Sequence, residues 1–156
     1  MSFTGHLLID GANILHAWPE LRVLLKRDRD AARSQLAQSV SAIHDGEQVR
    51  VTLVFDGRGP ELVVERPSAQ PTFSILYTPS SLTADDVIEQ FVAGAPDPTV
   101  CVVATGDRAE AQMVAATGAQ VISPEELAAW VKRVEARQSA TVVELQRANA
   151  KKWKKK

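Results

Sequence analysis

The run Val100 to Ala104 constrains this chain more than any other segment. It is a continuous β-branched and apolar stretch with no polar alternation, which is the pattern of a strand buried on both faces. Such a strand needs helices above and below it. The rest of the chain supplies them in alternation with further short strands. Leu7 to Ile9, Val49 to Phe55, Phe73 to Tyr77 and Gln120 to Ile122 read as strands, with a shorter extended piece at Leu62 to Val64 inside a loop from Arg58 to Pro71. Asp30 to Ile43 reads as a helix with Ala32, Leu36, Val40 and Ile43 on its buried face and Gly46 as its stop. Thr83 to Val92 reads as a second helix, capped by Thr83, with Asp85 and Asp86 in its first turn and Val87, Ile88, Phe91 and Val92 on its stripe. Ala109 to Ala116 is a third. Ser123-Pro124-Glu125-Glu126 opens a fourth with the signature of a capping box, and Leu127, Trp130, Val131 and Val134 form its apolar face. Thr141 to Ala150 extends as a looser helix. Strands alternating with helices imply an α/β fold with a mainly parallel central sheet.

Length and composition narrow the classes. One domain is expected for 156 residues, of which 45% are apolar. Cys101 is the sole cysteine, so an intrachain disulfide and a thiolate metal cage are both excluded. It sits inside the apolar strand and reads as a core residue. No apolar run approaches the roughly 20 residues of a membrane span. Met1 to His6 lacks a basic region followed by an apolar stretch, so the expected setting is cytoplasmic and reducing, with no membrane partner. The formal charge of −1 conceals an asymmetry. Five of the 18 Lys and Arg lie in the last six residues, leaving 13 basic against 19 acidic groups in the first 150.

In a parallel sheet, ligands bind outside the carboxyl ends of the strands. Acids fall there repeatedly: Asp10 after the first strand, Asp56 after the second, Asp85 and Asp86 at the helix after the third, and Asp107 just past Val100 to Ala104. Each has a plain alternative. Asp10-Gly11 and Asp56-Gly57 are turn-forming pairs, and Asp85, Asp86 and Asp107 suit helix N-termini. Placed together, carboxylates repel unless a cation lies between them. Hard divalent ions, Mg²⁺ or Mn²⁺, suit such a cup and suit hydrolysis of a phosphodiester. A phosphatase or nucleotide-binding protein is disfavoured. There is no G-x-G-x-x-G, no P-loop, and no second Asp two residues after Asp10.

The ordered set LLIDGANIL (7–15), LVFDG (53–57), TADDVIE (83–89) and VVATGDRAEAQMV (102–114) resembles the YacP-like branch of the NYN family, within the PIN-like nuclease group. The resemblance spans Leu7 to Trp130. It implies a three-layer Rossmann-like PIN/NYN fold over residues 1–137, followed by a helical extension and Lys-rich tail over 138–156. It also implies a divalent-metal-dependent endoribonuclease acting on RNA, with ribosome-associated mRNA as one substrate setting. A catalytically weak or inactive RNA- or ribosome-binding module is the alternative. By the same resemblance Asp10, Asp85 and Asp107 would be catalytic metal ligands, Asp86 a supporting ligand, and Asn13 an orienting group. Asp56 would stand behind the ligands, and Glu89 either reaches the cup or faces solvent. Arg108 either contacts phosphate or sits in a surface ion pair. The family's S-D-R-like element reads Thr105-Gly106-Asp107-Arg108 here, with an added Gly.

Basic groups complete the reading. Lys151, Lys152, Trp153, Lys154, Lys155 and Lys156 form either an RNA-phosphate tail or a solubilising one. Arg22, Lys26, Arg27, Arg29 and Arg33 form either a basic rim that guides RNA or a solvated face. His16 and Trp18 either stack on bases beside the cup or pack within their loop.

Overall fold

The computed structural model of the chain describes residues 5–67 and 70–154. β1 (His6–Asp10) leads into three consecutive helices, α1 (Gly11–Ala17), α2 (Pro19–Arg27) and α3 (Arg29–Glu47). β2 (Arg50–Phe55), β3 (Val63–Glu65) and β4 (Phe73–Tyr77) follow, then α4 (Ala84–Ala93), β5 (Cys101–Ala104), α5 (Arg108–Ala116), β6 (Gln120–Ile122) and α6 (Pro124–Lys154). The strands form one sheet in the order β3-β4-β2-β1-β5-β6. Every pairing is parallel except β3 against β4. The expected α/β class and mainly parallel sheet are therefore observed.

The period of two along each strand divides the core. Leu7, Ile9, Val51, Leu53, Phe55, Phe73 and Ile75 face the layer built by α1, α2, α3 and the start of α6. Leu8, Val54, Leu76, Cys101 and Val103 face α4 and α5. Helices on both faces make three layers and explain why the strands carry so little polar alternation. The α3 stripe is the expected one, with Ala32, Leu36, Val40 and Ile43 all buried. On α4, Val87, Ile88 and Val92 are buried, whereas Phe91 is 40% exposed. Its ring meets the His6 ring edge-on instead of entering the core.

Several local expectations are corrected. Asp10-Gly11 is no turn, because α1 starts at Gly11 with Asp10 as its N-cap. α2 was not legible, although Pro19 occupies its first turn as such helices favour. α3 runs through Gly46 to Glu47, and the left-handed residue that ends it is Gln48, at φ 54°. Gly46 serves packing: a Cβ there would lie 2.6 Å from Val134 Cγ1 of α6. Val100 belongs to a 3₁₀ turn before β5. α6 is one helix of 31 residues that crosses positions 137 and 138 without a break. Its first turns pack through Leu127, Val131 and Val134, Trp130 and Arg137 both donate to Glu47 of α3, and residues 135–150 are exposed. The side chains of Lys151, Lys152, Trp153 and Lys154, and the whole of Lys155 and Lys156, lie outside the described residues, as do Met1 to Thr4.

One glycine fixes how closely the ends of β2 and β4 approach. A Cβ on Gly57 would lie 2.1 Å from the Thr78 carbonyl oxygen, so only a bare backbone fits. Gly57→Ala is expected to destabilise the fold by about 1–3 kcal/mol through overpacking. Urea unfolding should show a lowered midpoint with an unchanged slope.

Candidate active site

The sheet order places β1 between β2 and β5, where successive connections leave in opposite directions. This is the crevice at which open parallel sheets bind ligands. Asp10 is the last residue of β1 and is only 6% exposed. Its Oδ1 accepts from the Asn13 backbone N–H at 3.3 Å, which anchors the carboxylate at the start of α1. Gly11 lets that helix begin so near the sheet, since a Cβ there would strike the Phe55 ring at 2.3 Å.

Asp85 arrives from the opposite layer, in the first turn of α4. Thr83 and Asp86 form the capping box of that helix: the Asp86 N–H donates to Thr83 Oγ1 at 3.2 Å and the Thr83 N–H to Asp86 Oδ2 at 3.0 Å. Asp56 ties the same turn to β2, its Oδ1 accepting from the Ala84 N–H at 2.9 Å. Asp85 is thereby left half-buried between two fixed neighbours.

The third group is Glu110. It lies on α5 one turn before Val114, and these two are the buried residues of that helix. Thr105 Oγ1 donates to Glu110 Oε2 at 2.8 Å, while Glu110 Oε1 is buried with no partner. One oxygen from each of Asp10, Asp85 and Glu110 lies within 4.8 Å of the others. Three facing carboxylates contain no donor, so a proton or a cation must lie among them. Burial pushes both Asp10 and Glu110 above the ordinary carboxylate range, and the adjacent Asp10 charge raises Glu110 further. Without a metal, the Asp10 and Glu110 pair holds a proton above the ordinary carboxylate range. The donor set is all oxygen, with an orphaned lone-pair group at its centre, and this fits a hard divalent cation.

The structure thus brings two of the expected ligands together, Asp10 and Asp85, and joins Glu110 to them. Asp107 is exposed and caps α5, its Oδ1 accepting from Ala109 and Glu110 N–H groups at 2.9 and 3.1 Å. It lies outside the three-carboxylate group. Asp86 is held in its capping box, and Glu89 is half-buried and also outside the group. Asn13 Oδ1 accepts from the Gly106 N–H at 2.6 Å, so it holds the loop that carries α5. That contact uses the Gly before Asp107. Arg108 is exposed and belongs to no ion pair among the described residues. His16 is exposed and shares a cavity of about 360 Å³ with Asp10, Asn13, Asp56 and Asp85. Trp18 takes the packed alternative, with Nε1 donating to the Pro124 carbonyl at 2.8 Å. Glu110 had a visible signal in the sequence. Its four-residue spacing from Val114 puts a carboxylate on a buried stripe.

Comparison with known proteins gives concordant results. The family model of the YacP-like NYN domain matches residues 7–156. The uncharacterised protein YacP of Bacillus subtilis (strain 168) is 31% identical over 134 residues, covering 84% of this chain and 77% of that protein. The crystal structure of Rae1 (YacP) from Bacillus subtilis superposes with a TM-score of 0.76 at 28% identity, covering 96% of this chain and 84% of that one. A mutant of the same protein gives the same TM-score at 29% identity, over 91% of this chain.

The raised carboxyls set the sign of a pH effect. The folded state holds protons that the unfolded chain releases at ordinary carboxylate values near pH 4. The resulting stability is full below that pH and is lost as pH rises through the folded values. In chelator, Tm is therefore expected to fall between about pH 5 and pH 9, and Glu110→Gln should flatten the fall. Mn²⁺ should restore Tm at the alkaline end, by about 2.7 kcal/mol at a hundredfold excess over Kd. Thermal scans across pH with and without Mn²⁺ measure both.

Proposed function

This chain belongs to the YacP-like NYN domain family, and from that membership and the carboxylate geometry we propose that it is a divalent-metal-dependent endoribonuclease that hydrolyses RNA phosphodiester bonds. The observation that carries the reading is the cluster of Asp10, Asp85 and Glu110 within 4.8 Å at the carboxyl edge of the sheet. These three residues would hold Mg²⁺ or Mn²⁺. Such an ion, when bound, neutralises charge on the scissile phosphate and lowers the pKa of a bound water.

The chain's own residues do the remaining work. Asp10 ends the central strand, and Asp85 and Glu110 come from α4 and α5 on one face of the sheet, so the cup closes only when that helical layer is packed. The proton held by the Asp10 and Glu110 pair would have to leave for a cation to bind there, which would couple metal affinity to pH. Thr105 orients Glu110 through Oε2 and leaves Oε1 free. Asn13 holds the Gly106 loop against α1 and sets the distance between Asp10 and α5. Asp107, as N-cap, fixes the helix that presents Glu110. Its role here is to position the third ligand.

This assignment separates Glu110 from Asp107 experimentally. Asp10→Asn, Asp85→Asn and Glu110→Gln should each lower Mn²⁺-dependent cleavage of single-stranded RNA by about 10²-fold or more, with circular dichroism unchanged. Asp107→Asn keeps a good helix cap and should lose far less. RNA retention with no cleavage at any Mn²⁺ concentration would instead establish a binding module.

A further inference from the structure

The carboxylate cavity has a neighbour of opposite charge. A cavity of about 440 Å³ adjoins it, and Ala12, His16 and Asp56 line both. Its remaining polar lining is basic: Lys26 from α2, Arg29 and Arg33 from α3, and Arg58 from the loop after β2. The ion pairs among the described residues are His44 with Asp45 and Arg137 with Glu47, so none of these four cations has one. Like charges around one cavity repel each other, and an anion entering it relieves the repulsion.

Arg33 is the organised member. Its guanidinium carbon lies 5.0 Å from the Phe55 ring centroid and 5.5 Å from that of Tyr77. These two rings are themselves stacked, at 5.7 Å. Its Nη2 makes a long contact of 3.5 Å to the Asp56 carbonyl, and its Nε is buried with no partner. A guanidinium seated against two aromatic rings has lost side-chain freedom before any ligand arrives. Its planar fork matches phosphate oxygens.

We propose that this cavity is a phosphate subsite for single-stranded RNA, holding a backbone phosphate next to the one at the carboxylate cluster, with Lys26, Arg29, Arg33 and Arg58 as its cations. The proposal rests on the nuclease reading for which phosphate is cleaved, and on the charge and shape of the second cavity for where the strand is held. It also divides the basic rim seen in the sequence. Lys26, Arg29 and Arg33 line the cavity, whereas Arg22 and Arg27 do not.

The test uses the full chain and a fluorescein-labelled single-stranded RNA. Binding is measured in chelator over a range of salt, and cleavage separately in Mn²⁺. Arg29→Gln and Arg33→Gln should each weaken binding by about tenfold and lower the slope of log affinity against log salt by about 0.7. Arg22→Gln and Arg27→Gln should stay within about twofold of wild type. Because Arg33 packs on two rings, the exposed pair Lys26→Gln/Arg29→Gln provides a variant that leaves the core untouched. Wild-type slopes in the cavity variants, equal losses in the Arg22 and Arg27 variants, or no RNA binding by the wild type would each overturn the subsite. Thermal protection by inorganic phosphate with no slope change for RNA would mark an isolated ion site and also overturn it. Slope loss without any cleavage in Mn²⁺ would uphold the subsite and sink the nuclease reading. Full cleavage with unchanged slopes would do the reverse.

Discussion

Mutual repulsion among Asp10, Asp85 and Glu110 is the constraint around which this fold is arranged. Two of the three are buried, and one oxygen from each lies within 4.8 Å of the others. A cluster like this is unfavourable in isolation and persists because the surrounding elements leave it no alternative. Asp10 is fixed by the end of the central strand β1, and Asp85 by a helix capped on both sides of it. Glu110 is fixed by a helix whose only other buried residue is Val114. The repulsion is met by a proton when no metal is present and is relieved by a cation when one is. A donor set made only of carboxylate oxygens would suit a hard ion.

The three-layer architecture is what allows three acids from distant segments to meet. α4 and α5 pack on one face of the sheet, and α1, with α2, α3 and α6, on the other. The site lies where the strand order reverses around β1, so helices from both layers open onto the same crevice. Close backbone approaches secure this. Gly11 lets α1 start against Phe55, and Gly57 lets the end of β2 lie on Thr78. Neither glycine is at a left-handed residue. Both are there because a side chain would not fit.

Most of the sheet was legible from the chain, because strands buried on both faces are nearly continuous apolar runs. β4 and β6 fall at the expected residues, and the α3 stripe matches residue for residue. The short helices α1 and α2 were not legible. Each has too few turns for periodicity to show, and Asp10-Gly11 carries the same residue types as a turn. The site was half legible. Asp10 and Asp85 stand at the ends of readable elements. Glu110 follows Asp107 at the spacing of a capping box, a pattern that ordinarily puts the Glu in solvent. Its packing against β1 is a tertiary fact, and only the companion Val114 hints at it. Asp107 and Glu110 are three residues apart, and local sequence alone points to Asp107, while the fold sets Glu110 beside Asp10 and Asp85.

Asp56 gives the two cavities a common frame. Its carboxylate accepts from the Ala84 N–H beside Asp85, and its carbonyl meets the Arg33 guanidinium. The preceding residue, Phe55, supplies the ring on which Arg33 lies, and the following one, Gly57, admits the close contact with Thr78. A single turn after β2, which follows the sheet pairing with β4, thus touches both cavities, through the Asp56 carboxylate on one side and its carbonyl on the other. A turn that lines both cavities fixes their spacing, which is what a repeating phosphodiester backbone would require of a protein that engages two of its phosphates at once.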